Sequence, residues 1–164
     1  MSLAIVPGSF DPMTLGHLDI VTKALERYDE VVVAVMINAE KQYLFDTDTR
    51  VEIARRTVAH LPNVRVIFDG GLLIDLYDRL GADAVCKGYR NDSDYAYETQ
   101  MAEWNAAHNP RFYTDLIAAE DAHANLSSTA VRAVLERGEI PRLLVHPSAL
   151  DLIDQKRNTE VKKR

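Results

Sequence analysis

Leu3-Ala4-Ile5-Val6-Pro7-Gly8-Ser9-Phe10-Asp11-Pro12-Met13-Thr14-Leu15-Gly16-His17 begins as a short apolar run and passes into a turn-rich loop. Beyond the loop, Leu18, Val21, Leu25 and Tyr28 recur at the spacing of one helix face, and Thr14 stands where an N-cap is needed. A strand therefore runs into a loop, and the loop opens a helix. That arrangement aims backbone N–H groups and the His17 imidazole at one point in space, where an anion such as a phosphate fits. Gly8 lets the backbone approach a ligand closely.

The same alternation continues outward from this stretch. Val31 to Ile37 is a continuous β-branched run, the pattern of a strand covered on both faces. Asn38 to Asp46 reads as a polar loop. Asp48 or Thr49 is the expected cap of a second helix, which buries Val51, Ala54, Val58 and Leu61. Val64 to Phe68 predicts a third strand, Leu72 to Leu80 a short helix closed by Gly81, and Asp83 to Cys86 a fourth strand. Lys87-Gly88-Tyr89-Arg90 is read as the loop after it. A helix follows from Ser93 to His108, with Tyr97, Met101 and Trp104 on one side, then a strand over Thr114 to Ala119. Ser127-Ser128-Thr129 opens a helix that runs to Arg137, and Pro147 starts the last one. Strands and helices in alternation with short connections predict one α/β domain over residues 1–164. Its core is a doubly wound, five-stranded parallel sheet. Such sheets bind ligands beyond the carboxyl ends of their strands, where the strand order reverses.

Composition narrows the function classes. A net charge of −6 over 164 residues argues against a general nucleic-acid binder, which would carry a basic field. No apolar run approaches the roughly 18 residues of a membrane span, and no basic region followed by an apolar core suggests a secretory leader. Cys86 is the single cysteine, which fits a reducing cytoplasm. It reads as a small core residue. The basic run from Gln155 to Arg164 reads as a frayed helix end.

Four loops fall on the ligand side of such a sheet. His17, in the first helical turn, suits donation to a phosphoryl oxygen; a packed helix histidine is the plainer reading. Lys41 is an ammonium in the loop after the second strand, solvated unless a polyanion binds there. Lys87 and Arg90 flank Gly88 at the end of a buried strand, as a phosphate clamp does. Glu98 suits a ribose hydroxyl or an amine, or else a surface ion pair. Leu126-Ser127-Ser128-Thr129 is either an ordinary N-cap or a cradle for a β- or γ-phosphate, with Arg132 one turn further on. Neither the dinucleotide fingerprint nor a Walker loop occurs.

Gly8-Ser9-Phe10-Asp11-Pro12-x-Thr14-x-Gly16-His17 resembles the signature box of the [ST]-x-G-H nucleotidylyltransferases, and Leu126-Ser127-Ser128-Thr129 is similar to their second box. Lys87-Gly88-Tyr89-Arg90 followed by Asp94-Tyr95-x-Tyr97-Glu98 resembles a segment of the bacterial phosphopantetheine adenylyltransferases, with Lys87 in place of an arginine. The resemblance implies a Rossmann-like nucleotidyltransferase fold. It also implies that ATP and 4′-phosphopantetheine give dephospho-coenzyme A and pyrophosphate, with Mg²⁺, in a cytoplasmic homohexamer. It places Ser9, Phe10, His17, Gly88, Tyr89, Arg90, Glu98, Leu126, Ser127, Ser128 and Thr129 at ATP. Ser9, Lys41, Leu73 and Lys87 fall at the acceptor, and His17, Lys41 and Arg90 at the reacting phosphates. The competing readings are a nicotinate or nicotinamide mononucleotide adenylyltransferase, whose box Ser127-Ser128-Thr129-x-x-Arg132 also fits, and a nucleotide-binding regulator without catalysis.

Overall fold

The computed structural model of the chain describes residues 1–120 and 126–160. In chain order the elements are β1 (Leu3–Gly8), α1 (Leu15–Arg27), β2 (Glu30–Met36), α2 (Thr47–Val58), β3 (Val64–Asp69) and α3 (Leu73–Leu80). They continue with β4 (Ala84–Tyr89), α4 (Asp92–His108), β5 (Thr114–Ala118), α5 (Ser128–Glu136) and α6 (Pro147–Glu160). All strand pairings are parallel, in the order β3-β2-β1-β4-β5. The chain moves outward from β1 in one direction and then returns to add β4 on its other side. The reversal lies between β1 and β4, and there a crevice opens at the strands' carboxyl ends.

Alternation along the strands divides the core between two faces. Ala4 and Val6 of β1, with Val31, Val33 and Val35 of β2, face a layer made by α1, α2, α5 and α6; Ile20, Ile53, Leu135 and Ile153 supply its buried bulk. Leu3, Ile5, Val32 and Ala34 face the other way, against Leu76 and Tyr77 of α3 and Phe112. Helix α4 lies over β4 and β5 but buries none of its side chains fully. Tyr97, Met101 and Trp104 share one side of it as expected, and that side is exposed at 62%, 40% and 53%.

Two local expectations are corrected. Asp46, not Asp48 or Thr49, caps α2, accepting from the Thr49 N–H at 2.8 Å. Asp46-Thr47-Asp48-Thr49 offers a capping side chain at every position, so local chemistry alone does not choose among them. The second correction concerns Lys87-Gly88-Tyr89, which is strand and not loop, paired with Leu116, Ile117 and Ala118 of β5. A glycine after a lysine reads as a breaker, yet here the glycine serves packing. A Cβ at Gly88 would lie 2.8 Å from Ile20 Cγ1 and 2.9 Å from its Cδ1. Gly88→Ala is therefore expected to drive the Ile20 side chain out of its packed rotamer and cost about 1–3 kcal/mol. A urea midpoint unchanged from wild type would contradict this.

Candidate active site

The β1–α1 loop is the floor of a cleft of about 680 Å³ at the β1/β4 crevice. Phe10 takes a left-handed backbone conformation, φ 48°, and is almost fully buried. Its ring lies beneath Gly8, where a Cβ would come within 3.1 Å of it, and meets the His17 ring edge-on with centroids 5.0 Å apart. Gly16 also serves close packing, since a Cβ there would stand 3.0 Å from the Leu126 carbonyl oxygen.

His17 is fixed by reciprocal capping. The Thr14 backbone N–H donates to His17 Nδ1 at 3.0 Å, and the His17 N–H donates to Thr14 Oγ1 at 3.3 Å. Because a backbone N–H only donates, Nδ1 is an acceptor, and the ring proton belongs to Nε2. The imidazole is thus a neutral donor. Burial lowers its pKa to about 4, with smaller contributions from the nearby positive charges of Lys87 and Arg90. In the unfolded chain the same group titrates near its ordinary value, so the unfolded state binds more protons between roughly pH 6.5 and 4. The contribution of His17 to stability is whole above that window and declines as pH falls through it. Correspondingly, His17 is expected to stay neutral from pH 5 to 8, and NMR titration of its ring should show no inflection in that range. An inflection near pH 6.5 would overturn the assignment.

Two of the cations around the cleft, Lys87 and Arg90, carry carboxylate partners. Lys87 Nζ lies 3.6 Å from Glu98 Oε1, linking β4 to α4. Arg90 Nε lies 3.1 Å from Asp94 Oδ2, and the Arg90 N–H donates to the same oxygen. Lys41 is exposed on the β2–α2 loop and borders the cleft. On the far wall, Ser127 caps α5 by accepting from the Ala130 N–H at 3.0 Å. Ser128 Oγ donates to the Pro12 carbonyl at 2.8 Å, and Thr129 Oγ1 accepts from Arg132 at 3.1 Å. Only the Ser128 hydroxyl spends its proton within the protein; the O–H groups of Ser127 and Thr129, which act here as acceptors, remain donors for an anion beside the amides of Ser128 and Thr129 at the start of the helix.

The cleft gathers Ser9, Phe10, His17, Lys41, Lys87, Gly88, Tyr89, Arg90, Glu98, Leu126, Ser127, Ser128 and Thr129. Leu73 does not border it. It lines a smaller depression of about 100 Å³ with Met101, Asn105 and Phe112, and this depression shares Lys87, Tyr97 and Glu98 with the main cleft. Asp121 to Asn125, including His123, lie outside the described residues. Cys86 is a buried free thiol, as its core reading anticipates, and burial pushes its pKa up to about 12.

Two residues behind the cleft escape a reading of the sequence. Arg50 is 1% exposed and donates to the Ser9 carbonyl at 2.7 Å, to the Met36 carbonyl at 3.4 Å and to Thr47 Oγ1 at 3.3 Å. Its guanidinium also sits 4.0 Å from the Tyr43 ring centroid. Asp11 is 3% exposed, and its carboxylate accepts the N–H groups of Leu44 and Phe45. In sequence Arg50 resembles the solvated arginines after it, and Asp11 resembles a turn aspartate. The one available signal for Asp11 is its place inside the first box. Among the described residues, no group of three or more His, Cys, Asp or Glu side chains is arranged to hold a metal ion.

Residues 5–134 match the model of the cytidylyltransferase-like family. The chain is 45% identical over 138 residues to a phosphopantetheine adenylyltransferase of Heliobacterium modesticaldum, covering 84% of this chain and 82% of that one. A solved structure from Vibrio parahaemolyticus, provisionally described as a nicotinate-nucleotide adenylyltransferase, superposes with a TM-score of 0.72 at 19% identity, over 98% of each chain. A lipopolysaccharide core biosynthesis protein of Thermoplasma volcanium superposes with a TM-score of 0.54 at 20% identity, over 73% of this chain and 97% of that one. At such identities the two structures establish the fold alone. Taken with the family match and the 45% relative, they lead to one conclusion: the chain belongs to the phosphopantetheine adenylyltransferase family of cytidylyltransferase-like nucleotidyltransferases.

Proposed function

We propose that the chain transfers the adenylyl group of ATP to 4′-phosphopantetheine, giving dephospho-coenzyme A and pyrophosphate. The observation that carries the reading is the convergence of a neutral imidazole donor, three cations and a helix N-terminus on one cleft, in a chain 45% identical to a phosphopantetheine adenylyltransferase. The acceptor's phosphate oxygen is ionised at neutral pH, so no general base is required. That oxygen attacks the α-phosphorus of ATP; the new P–O bond forms as the bond to the β-bridging oxygen breaks, and pyrophosphate leaves with the electron pair.

The work of the protein is then to hold two polyanions together and to stabilise charge around the α-phosphorus. His17 Nε2–H donates to an α-phosphoryl oxygen. Lys41 and Arg90 offset the growing charge, and the α5 amides hold the terminal phosphates. Lys87 takes the acceptor's phosphate as a point charge, where a family arginine would present a planar fork. Ser9, Phe10, Gly88, Tyr89, Glu98 and Leu126 shape the nucleotide side. Leu73, in the adjoining depression, suits the acceptor's apolar arm. Reactions of this kind generally use a divalent metal. No cluster of three or more His, Cys, Asp or Glu among the described residues would hold one; bound together with the triphosphate, Mg²⁺ would supply neutralisation of phosphate charge.

The exposed side of α4 supports a homo-oligomer, a hexamer by family resemblance. The lone, unpaired cysteine supports a cytoplasmic enzyme; among the described residues no helix is long and apolar enough to cross a membrane. Pyrophosphate release with ATP and a panel of acceptors tests the reaction. Release with 4′-phosphopantetheine and not with nicotinate or nicotinamide mononucleotide is the expected result. The reverse preference would establish the mononucleotide reading, and no release with any acceptor would leave a binder without catalysis.

A further inference from the structure

The β2–α2 loop carries Lys41 to the cleft, and an exposed loop is a poor platform for a charge that must meet a transition state. This loop is held at both ends. On the β2 side, the Asn38 N–H donates to the Tyr43 hydroxyl at 2.7 Å and the Lys41 N–H donates to the Asn38 carbonyl at 3.0 Å. On the α2 side, both oxygens of the buried Asp11 carboxylate are used, one by the Leu44 N–H at 2.8 Å and one by the Phe45 N–H at 2.9 Å. Leu44 and Phe45 are themselves sunk in the core at 2% and 0% exposure.

Asp11 also reaches the third wall. Its carbonyl accepts from Arg132 at 2.8 Å, and the same guanidinium nitrogen lies 3.9 Å from the Asp11 carboxylate. Arg132 in turn donates to Thr129. One residue in the loop that leads into α1 thus joins, through its carboxylate and its backbone carbonyl, the loop that bears Lys41 to the helix that opens at Ser128.

We propose that Asp11 is a positioning residue for the transfer step, clamping the 38–46 loop so that Lys41 stands over the reacting phosphates. This rests on the adenylyl-transfer reading. Asparagine has the same shape but offers a single acceptor oxygen, so in Asp11→Asn one of the two loop amides meets an N–H₂ donor. A displacement of Lys41 by about 1 Å is enough to lose on the order of 100-fold in rate.

The test is a double-mutant cycle on the full chain, following pyrophosphate release with ATP and 4′-phosphopantetheine. Asp11→Asn is expected to lower kcat about 10- to 100-fold, and to lower it less than about 3-fold further in a Lys41→Ala background, because coupled residues are not additive. Equal losses in both backgrounds would overturn the proposal. Independently of activity, hydrogen exchange over residues 38–46 should quicken in Asp11→Asn while β1 and β2 stay protected. Unchanged exchange in that loop would overturn it too. Should Asp11→Asn not fold, Asp11→Glu keeps both acceptors one methylene out of place and is judged by the same two readouts. Should the wild type release no pyrophosphate, the reaction assignment fails, and hydrogen exchange alone decides whether Asp11 clamps the loop.

Discussion

Replacing His17 by alanine is expected to lower turnover on the order of 100- to 1000-fold with a milder loss of ATP binding, as removal of a single preorganised donor does elsewhere. The reason is the timing of the charge. The Nε2 proton faces the cleft before substrate arrives, because Thr14 already occupies Nδ1, and the ring is neutral because burial holds its pKa near 4. On the proposed reading it would interact most strongly where charge grows, at the α-phosphorus, and weakly with the resting nucleotide. A complication is that His17 also closes the cap of α1, so alanine removes about 1 kcal/mol of helix stability as well. His17→Gln separates the two effects, since glutamine is a natural capping-box partner. Stability should return while turnover stays low. Activity within a few-fold of wild type in His17→Ala would remove His17 from the chemistry.

Arg50→Ala should be the more damaging change to the fold, costing about 3–5 kcal/mol. Without the guanidinium, the Ser9 and Met36 carbonyls lose their donor in a buried place, at about 1–3 kcal/mol for each unsatisfied group, and a cavity opens against Tyr43. Arg50→Lys keeps a charge but not the fork that reaches several oxygens at once, so partial recovery is expected. Urea denaturation measures both. A loss below about 1 kcal/mol for Arg50→Ala would mean that water replaces the guanidinium without penalty.

The frame of the molecule is legible in the sequence because its signals are local and repeated. The β-branched run from Val31 reads as a covered strand and is one as far as Val35, with Ile37 falling just outside β2 and exposed, and Gly81, in a left-handed conformation at φ 64°, ends α3 where its chemistry says it should. What is not legible depends on partners distant in the chain. Gly88 looks like a loop residue until Ile20 of α1 is seen against it. Arg50 looks solvated until the turn at Ser9 folds over it. The hydroxyls of Ser127 and Ser128 read as phosphate ligands or as caps with equal ease, and only the Pro12 carbonyl, far away in sequence, shows where the second one points. Lys87 and Glu98 carry opposite charges on two different elements, and nothing in their spacing says that they meet. Residues of the first box could be placed in one cleft from the sequence; the geometry that makes them donors and acceptors could not.

Strands β1 and β4 stay in register only from Ala4–Ala84 to Ile5–Val85, whereas β1 and β2 remain paired from Leu3–Glu30 to Gly8–Val35. The sheet is thus least well stitched where the cleft opens. A ligand lying across that seam binds the folded chain and not the unfolded one, and so adds to the free energy of unfolding by mass action, about 2.7 kcal/mol at a concentration of 100 times its dissociation constant. Nucleotide is then a thermodynamic partner of the fold as well as its substrate. The chain is held more firmly whenever the cell keeps the cleft filled.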